Sequence, residues 1–330
     1  MTRDGTTRIL VTGGAGFIGS HYVRTLLGPD GPGGVSVTVL DALTYAGNRE
    51  NLAPVARHPA LAFVQGDICD AGLVDGLTAE HDQVVHFAAE SHVDRSLVSA
   101  ADFVRTNMTG TQVLLDAALR HGIGPFVHIS TDEVYGSIEH GAWTEDSPLR
   151  PNSPYAASKA GADLLALAQH RTHGLDVRVT RCSNNYGPYQ FPEKLIPLFV
   201  TRLLDGGEAP LYGDGGNVRD WLHVEDHVRA VELVRTRGRP GATYNIGGGT
   251  QSTNRDLVDR IVRACGASWE QVRWVEDRKG HDRRYCVDHA RITRELGYRP
   301  SVPLATGLAE TIAWYRTHRD WWEPLLAPAA

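Results

Sequence analysis

The sequence predicts a doubly wound α/β protein, a parallel sheet with helices on both faces, followed by a smaller mixed α/β C-terminal region. Three observations predict it. Short β-rich apolar runs alternate with longer stretches of helical apolar spacing. Several of those runs are apolar throughout, as parallel strands covered on both faces require. A glycine trio, Gly13, Gly16 and Gly19 in "ILVTGGAGFIGS", ends the first run and opens the first helical stretch. That is where a Rossmann-like chain turns around a phosphate.

The elements follow in order. "RILVT" (8–12) reads as the first strand and "FIGSHYVRTLLG" (17–28) as the first helix. "VSVTVLD" (35–41), "LAFVQGD" (61–67) and "QVVHFA" (83–88) are the next three strands. "NMTGTQVLLDAALRHG" (107–122) and "SPYAASKAGADLLALAQHRTHG" (153–174) have helical spacing, and each stops at a Gly, a common helix terminator. "FVHIS" (126–130) and "DVRVTR" (176–181) complete the continuous series of strands. After residue 182 the texture changes to loops rich in Gly, Pro and aromatics, such as "NNYGPYQFPEK" and "LYGDGGNVRDW". "ATYNIGG" (242–248) reads as one further strand, and helices are expected near 254–265 and 304–318. The division expected is a Rossmann-like nucleotide-binding domain over 1–182 with a crossing-back segment at about 218–247. Residues 183–217 and 248–330 form the second domain.

At 330 residues the chain can bury a large core. Its 42% hydrophobic and 22% charged residues place it among soluble globular proteins. The 33 Lys and Arg against 39 Asp and Glu leave a formal charge of −6, which gives no basic footprint for nucleic acid or an anionic membrane. An anionic substrate would therefore need a local cluster of cations. Cys69, Cys182, Cys265 and Cys286 are widely spaced, with no C-x-x-C, so neither a zinc site nor a redox pair is expected. "WLHVEDHVRA" (221–230) is rich in His and acids but fits no zinc signature, and no metal is expected. "MTRDGTTRILVTGG" lacks the apolar region of a signal peptide, and no stretch approaches the ~20 apolar residues of a membrane span. A cytoplasmic location is expected. The aromatic tail "WYRTHRDWWEP" reads as packing rather than a stacking platform.

Gly13, Gly16 and Gly19 allow a tight turn, a close approach to a pyrophosphate, and a helix N-terminus aimed at negative charge. Asp41 ends the second strand, 22 residues past Gly19, where a carboxylate accepts both ribose hydroxyls. A carboxylate there repels a 2′-phosphate, so the expected cofactor is NAD rather than NADP, with Arg49 nearby as the residue that would argue otherwise. Asp67 and Ile68 in "GDI" follow the third strand and could contact adenine. Tyr155 and Lys159 are four apart and share a helix face. A free phenol titrates near ~10, and bringing it toward neutrality takes about 4 kcal/mol of differential stabilisation. A nearby ammonium and the positive nicotinamide ring are expected to supply it, so that Tyr155 removes a hydroxyl proton as hydride leaves the same carbon.

"STDEVYG" (130–136) adds Asp132 and Glu133 immediately after Thr131 at a strand end. A simple dehydrogenase has no use for that acidic pair. It serves a second set of proton transfers, or it merely caps the turn that follows. Together with "HFAAESHVDRS", "NSPYAASKAGAD", "RCSNNYGPYQFPEKLIPLF", "LYGDGGNVRDWLHVEDH" and "KGHDRRYCVD", this motif resembles the extended short-chain dehydrogenase/reductase superfamily and, within it, the dTDP-glucose 4,6-dehydratase family. The resemblance runs from the first strand to about residue 316, with Lys279 standing where the family often has proline.

The resemblance implies transient oxidation at the glucose C4, with Glu133 as base at C5 and Asp132 as acid at the C6 hydroxyl. Hydride returns to C6, and Thr131 holds the C4 oxygen. It implies that NAD is lined by Gly13, Gly16, Phe17, Ile18, Gly19, Asp41, Leu43, Thr44, Asp67, Ile68, Ala88, Ala89, Thr106, Tyr155, Lys159 and Asn185. It implies that the sugar nucleotide is held by Ser91, Thr131, Asn184, Lys194, Leu195, Pro210, Tyr212, Arg219, Asn254, Arg278 and His281, with Arg219 on the diphosphate. A homodimer through a four-helix interface is also implied, and the apolar faces in 97–120 and 155–170 are compatible with it. A dehydratase of UDP-, CDP- or GDP-hexoses, or an inactive nucleotide-binding homologue, keeps the same fold and cradle.

Overall fold

The computed structural model describes residues 5–326. Its strands are β1 (Thr7–Thr12), β2 (Val35–Asp41), β3 (Leu61–Gln65), β4 (Gln83–His86), β5 (Phe126–Thr131), β6 (Val177–Cys182), β7 (Asn184–Tyr186), β8 (Ala209–Tyr212), β9 (Val218–His223), β10 (Thr243–Ile246), β11 (Gln251–Thr253) and β12 (Val272–Val275). Seven of them form one sheet in the order β10-β6-β5-β4-β1-β2-β3, every pair parallel. The order reverses beside β1, whose neighbours are β2 and β4, so a crevice opens at the carboxyl ends of β1 and β4.

Both faces of this sheet are covered, which is why most of its strands are largely apolar. On one face Tyr22, Val23 and Leu26 of the helix Phe17–Leu27 pack with Val228, Val231 and Val234 of the helix Val224–Arg237. On the other face lie Val74, Leu114, Leu115, Ala118 and Ala166, from the helices Ala71–Ala79, Thr111–His121 and Pro154–His173. The expected helix 107–122 has an irregular first half: Val104–Gly110 is π-helical and becomes α-helical at Thr111. Such widened turns tend to sit at functional sites.

A second core gathers Phe199, Val200, Leu257, Ile261, Leu308, Ile312 and Trp322 from four helices after residue 194. It carries two small sheets, β11-β9-β7 and the parallel pair β12-β8. Among the crossing-back residues, Val224–Arg237 and β10 join the large sheet, whereas β9 belongs to the second region. The chain also returns once more than expected. Ile292, Leu296 and Tyr298 pack into the first core, so 248–330 is not wholly part of the second region. The aromatic tail packs: Trp322 is fully buried and its indole N–H donates to the Tyr315 carbonyl at 2.8 Å.

Candidate active site

Two adjoining chambers of about 530 and 430 Å³ open at the switch point, and Glu133, Asn184, Asn185, Gln190, Glu193 and Lys194 line both. In the first chamber the glycines do physical work. Gly13 has φ +70°, and a Cβ there would lie 2.5 Å from the Ala88 nitrogen. A Cβ on Gly19 would lie 2.2 Å from the Gly13 carbonyl oxygen. Asp41 is fixed by the Ala15 N–H on Oδ2 at 2.9 Å and the Leu43 N–H on Oδ1 at 2.8 Å. Phe17, Ile18, Thr44, Ala88, Ala89, Thr106 and Asn185 line this chamber with the three glycines and Asp41. Asp67 and Ile68 line it too, and Asp67 accepts from the Arg105 guanidinium at 2.7 Å. Leu43 does not line it: its φ of 52° belongs to the turn that brings its amide to Asp41. Arg49 lies outside it, stacked 4.4 Å over the Phe63 ring. The crowded glycine loop, the short approach that it leaves and the placed carboxylate fit a dinucleotide with a free ribose 2′-hydroxyl.

The candidate reacting groups lie at the end of β5 and on the helix Pro154–His173. A short 3₁₀ turn, Asp132–Tyr135, follows β5, and its N-cap is Thr131, whose Oγ1 accepts the Glu133 N–H at 3.3 Å. Capping is thus done by Thr131, and neither carboxylate is used for it. Asp132 is 3% exposed, and its Oδ2 has no partner among the described residues. Burial, then Glu133 and Asp220, push the Asp132 carboxyl well above the ordinary carboxylate range. Burial raises Glu133 too, but Arg219, Lys194 and Arg278 pull it back. The two adjacent acids therefore differ in balance: Glu133 and Asp220 outweigh Arg219 at Asp132, while Arg219, Lys194 and Arg278 outweigh Asp282 at Glu133. That arrangement favours a proton on the first and a negative charge on the second.

The protein's own groups around Tyr155 act against the expected lowering. Burial and the Glu133 carboxylate push its phenol well above its ordinary range, and a hydrogen bond with Thr131 offsets this only in part. Lys159 Nζ instead donates to the Ile129 carbonyl at 2.6 Å, and burial brings its ammonium down to about 8. The protein's own charges do not supply the phenolate stabilisation that the Tyr–Lys spacing predicts.

The second chamber is lined by Asn184, Lys194, Leu195, Pro210, Tyr212, Arg219, Asn254, Arg278 and His281, while Ser91 and Thr131 line the first. Arg219 is buried, lies 4.4 Å over the Tyr285 ring and donates to the carbonyls of Val218 at 2.8 Å and Asp282 at 2.9 Å. Arg278 pairs with Asp94 at 2.5 Å, His281 with Asp277 at 2.6 Å, and Lys194 Nζ donates to the Ser91 carbonyl at 2.8 Å. Sequence reasoning passed over Glu193, Gln190 and Tyr285. Glu193 and Gln190 line both chambers. The Tyr285 hydroxyl donates to Asp282 Oδ2 at 2.6 Å and lies 3.5 Å from Glu133 Oε2. All three fall inside the quoted motif blocks, which was the available signal.

A seven-stranded sheet in this order, with its crevice built around a glycine loop and an adjacent acid pair, defines a dinucleotide-binding enzyme of the doubly wound class. The chain belongs to the GDP-mannose 4,6 dehydratase family, whose model matches residues 10–311. Within it, the chain is 69% identical to the dTDP-glucose 4,6-dehydratase of Streptomyces griseus, over 97% of this chain and 98% of that one. The dTDP-glucose 4,6-dehydratase of Streptomyces venezuelae, solved with NAD bound, is 63% identical, with a TM-score of 0.95 over 97% of this chain and all of that one. The Bacillus anthracis enzyme in complex with NAD is 45% identical, with a TM-score of 0.90 over 97% of this chain and 100% of that one.

Proposed function

We propose that the chain is an NAD-dependent hydro-lyase that converts dTDP-glucose to dTDP-4-keto-6-deoxyglucose, a step of deoxysugar biosynthesis. The observation that carries the reading is the Asp132–Glu133 pair, a buried carboxyl next to a half-buried one that faces three cations, beside Tyr155. Thr131 holds the C4 oxygen and Tyr155 takes the C4 hydroxyl proton, with Lys159 one helical turn away. NAD bound against the glycine loop accepts the C4 hydride, carries the positive charge that favours the Tyr155 phenolate, and returns the hydride at C6. The C4 ketone acidifies the C5 hydrogen, which Glu133 removes. Asp132 protonates the C6 hydroxyl and water departs. Glu133 then returns its proton to C5, and the proton taken by Tyr155 makes good the one that Asp132 gave up. The second chamber takes the nucleotide diphosphate, with Arg219 and Arg278 opposite its charge.

A hexose carrying deuterium at C4 tests this. The label is expected in the new methyl group of the same molecule, and its loss to solvent would refute hydride return. A panel of dTDP-, UDP-, CDP- and GDP-hexoses tests the choice of base.

A homodimer built on four helices accompanies this reading. Leu97, Val98, Val104 and Leu164 are large apolar side chains left exposed, all on the helical stretches 93–110 and 154–173. Four unpaired cysteines, and no helix among the described residues long and apolar enough to cross a membrane, accord with a cytoplasmic location.

A further inference from the structure

A chain of hydrogen bonds runs from the C-terminal helix Arg319–Leu326 to the glycine loop. Trp321 Nε1 donates to Asn51 Oδ1 at 2.9 Å, and Asn51 Nδ2 donates to the Ala15 carbonyl at 2.9 Å. Ala15 lies between Gly14 and Gly16. Its N–H donates to Asp41 Oδ2 at 2.9 Å, and its carbonyl also accepts the Asn48 N–H at 3.0 Å. The cofactor-side acid and the C-terminal helix therefore fix adjacent groups of the same loop residue. Asn51 itself is 1% exposed, on the short helix Arg49–Val55, and its carbonyl accepts from the Arg24 guanidinium.

The chemistry of the three groups makes the order of the relay obligatory. An indole N–H can only donate, so it must meet the amide oxygen of Asn51. With the oxygen turned to Trp321, the amide nitrogen faces Ala15, which offers only an acceptor. A flipped Asn51 would set its oxygen against the Ala15 carbonyl and its NH₂ against the indole N–H, two mismatches in a buried place. Trp321 and the Ala15 carbonyl thereby demand the same Asn51 orientation, the one in which it holds the loop. Its ring is itself held by the second region: it lies 5.1 Å from Trp314 and 5.5 Å from Tyr189 between ring centroids. Tyr189 has φ +68°, lies under the Arg24 guanidinium at 4.3 Å, and precedes Gln190, which lines both chambers.

We propose that Trp321 is a positioning residue for the cofactor: acting through Asn51, it holds the Ala15 peptide, and with it the glycine loop, in the form that retains NAD. The proposal rests on the NAD-dependent reading above, and the NAD content of the purified wild-type protein, measured first, tests that reading by itself. The experiment measures NAD release from holoenzyme by trapping the freed cofactor, in Trp321→Phe, Asn51→Ala, the double variant and Trp314→Phe. Phenylalanine keeps the ring of residue 321 and removes only the donor. Release from Trp321→Phe is expected to be about five- to tenfold faster, the scale of one lost hydrogen bond. Its kcat at saturating NAD is expected within about twofold of wild type. The double variant is expected to release NAD no faster than Asn51→Ala, because the two residues act in series. Trp314→Phe keeps the Trp321 donor and only loosens its support, so it is expected to accelerate release less than Trp321→Phe. Unchanged release in Trp321→Phe, equal acceleration in Trp314→Phe, or multiplied effects in the double variant would each overturn the proposal.

Discussion

Asp132 and Glu133 are neighbours in sequence with different electrical surroundings, and each difference can be measured. Glu133 faces Arg219, Lys194 and Arg278, so its ionised form is the supported one. Glu133→Gln is expected to lower kcat by about 10²–10⁴-fold, the usual weight of a positioned base. Oxidation at C4 precedes the step that Glu133 serves, so reduced nicotinamide should still form on mixing with substrate; stopped-flow absorbance reads it, and wild-type kcat would refute the role. Asp132 bears a stability cost. Its folded pKa lies well above the unfolded value of 3.8, so the folded chain holds a proton that the unfolded chain releases as pH rises past about 4. Stability attached to that proton is fully present below the unfolded pKa and is lost as pH rises through the folded one. Asp132→Asn cannot ionise. In urea unfolding it should match wild type near pH 4 and be the more stable at pH 8. A gap that widens toward acid would contradict the assignment. Little of this separation could be read from the letters "TDEV", because burial leads it, and Asp220, Lys194 and Arg278 are brought in from far along the chain. The same holds for Tyr155, where burial opposes the lowering that the Tyr–Lys spacing implies.

At the scale of elements, the glycine loop separates two effects that sequence alone merges. A Cβ on Gly19 would collide with the Gly13 backbone at 2.2 Å, while a Cβ on Gly16 meets only the Gly13 oxygen at 3.3 Å. Gly19→Ala is therefore expected to disturb the loop itself, lowering the melting temperature and NAD affinity together. Gly16→Ala should keep its melting temperature within about 2 °C, with under ~0.5 kcal/mol lost, and yet bind NAD about tenfold more weakly, because it lines the chamber where the diphosphate must approach. Calorimetry and NAD titration check both, and a Gly16→Ala protein with full NAD affinity would place the diphosphate elsewhere. The large sheet was legible because doubly covered parallel strands are largely apolar, and each expected run in it overlaps a strand to within a few residues. The small sheets were not legible. Asn184–Tyr186 and Gln251–Thr253 are three residues each, too short to show a period of two, and both lie among loop-forming residues. The site was legible in motif blocks rather than in periodicity. Glu193 and Tyr285 escaped because a lone acid or tyrosine in a loop carries no spacing signal. Leu43 was placed in the chamber by its neighbours, but its turn presents its amide to Asp41 and leaves its side chain out of the lining.

The whole molecule joins two cores around a shared cleft, and it leaves one apolar surface uncovered. Val98 is 90% exposed, and Leu97, Val104 and Leu164 are the other large apolar side chains left open on the helices beside it. Elsewhere among the described residues, the large apolar side chains left exposed are Trp274 and Leu326. Isolated exposed apolar side chains need no explanation, but four on helices that pack together are a cost in water that a second copy would relieve. The helix Pro154–His173 that carries Leu164 also carries Tyr155 and Lys159, so association would brace the helix of the proposed base from outside. Leu164→Glu puts a charge on that face without touching either chamber. Burying it unpaired in an interface carries a penalty of about 3 kcal/mol or more. Sedimentation equilibrium at micromolar concentration is expected to give two subunits for wild type and one for Leu164→Glu, with secondary structure by circular dichroism unchanged. The monomer should keep NAD and lose part of its kcat as that helix loosens. A wild-type mass of one subunit, or a variant that stays paired, would mean that this face serves some other contact.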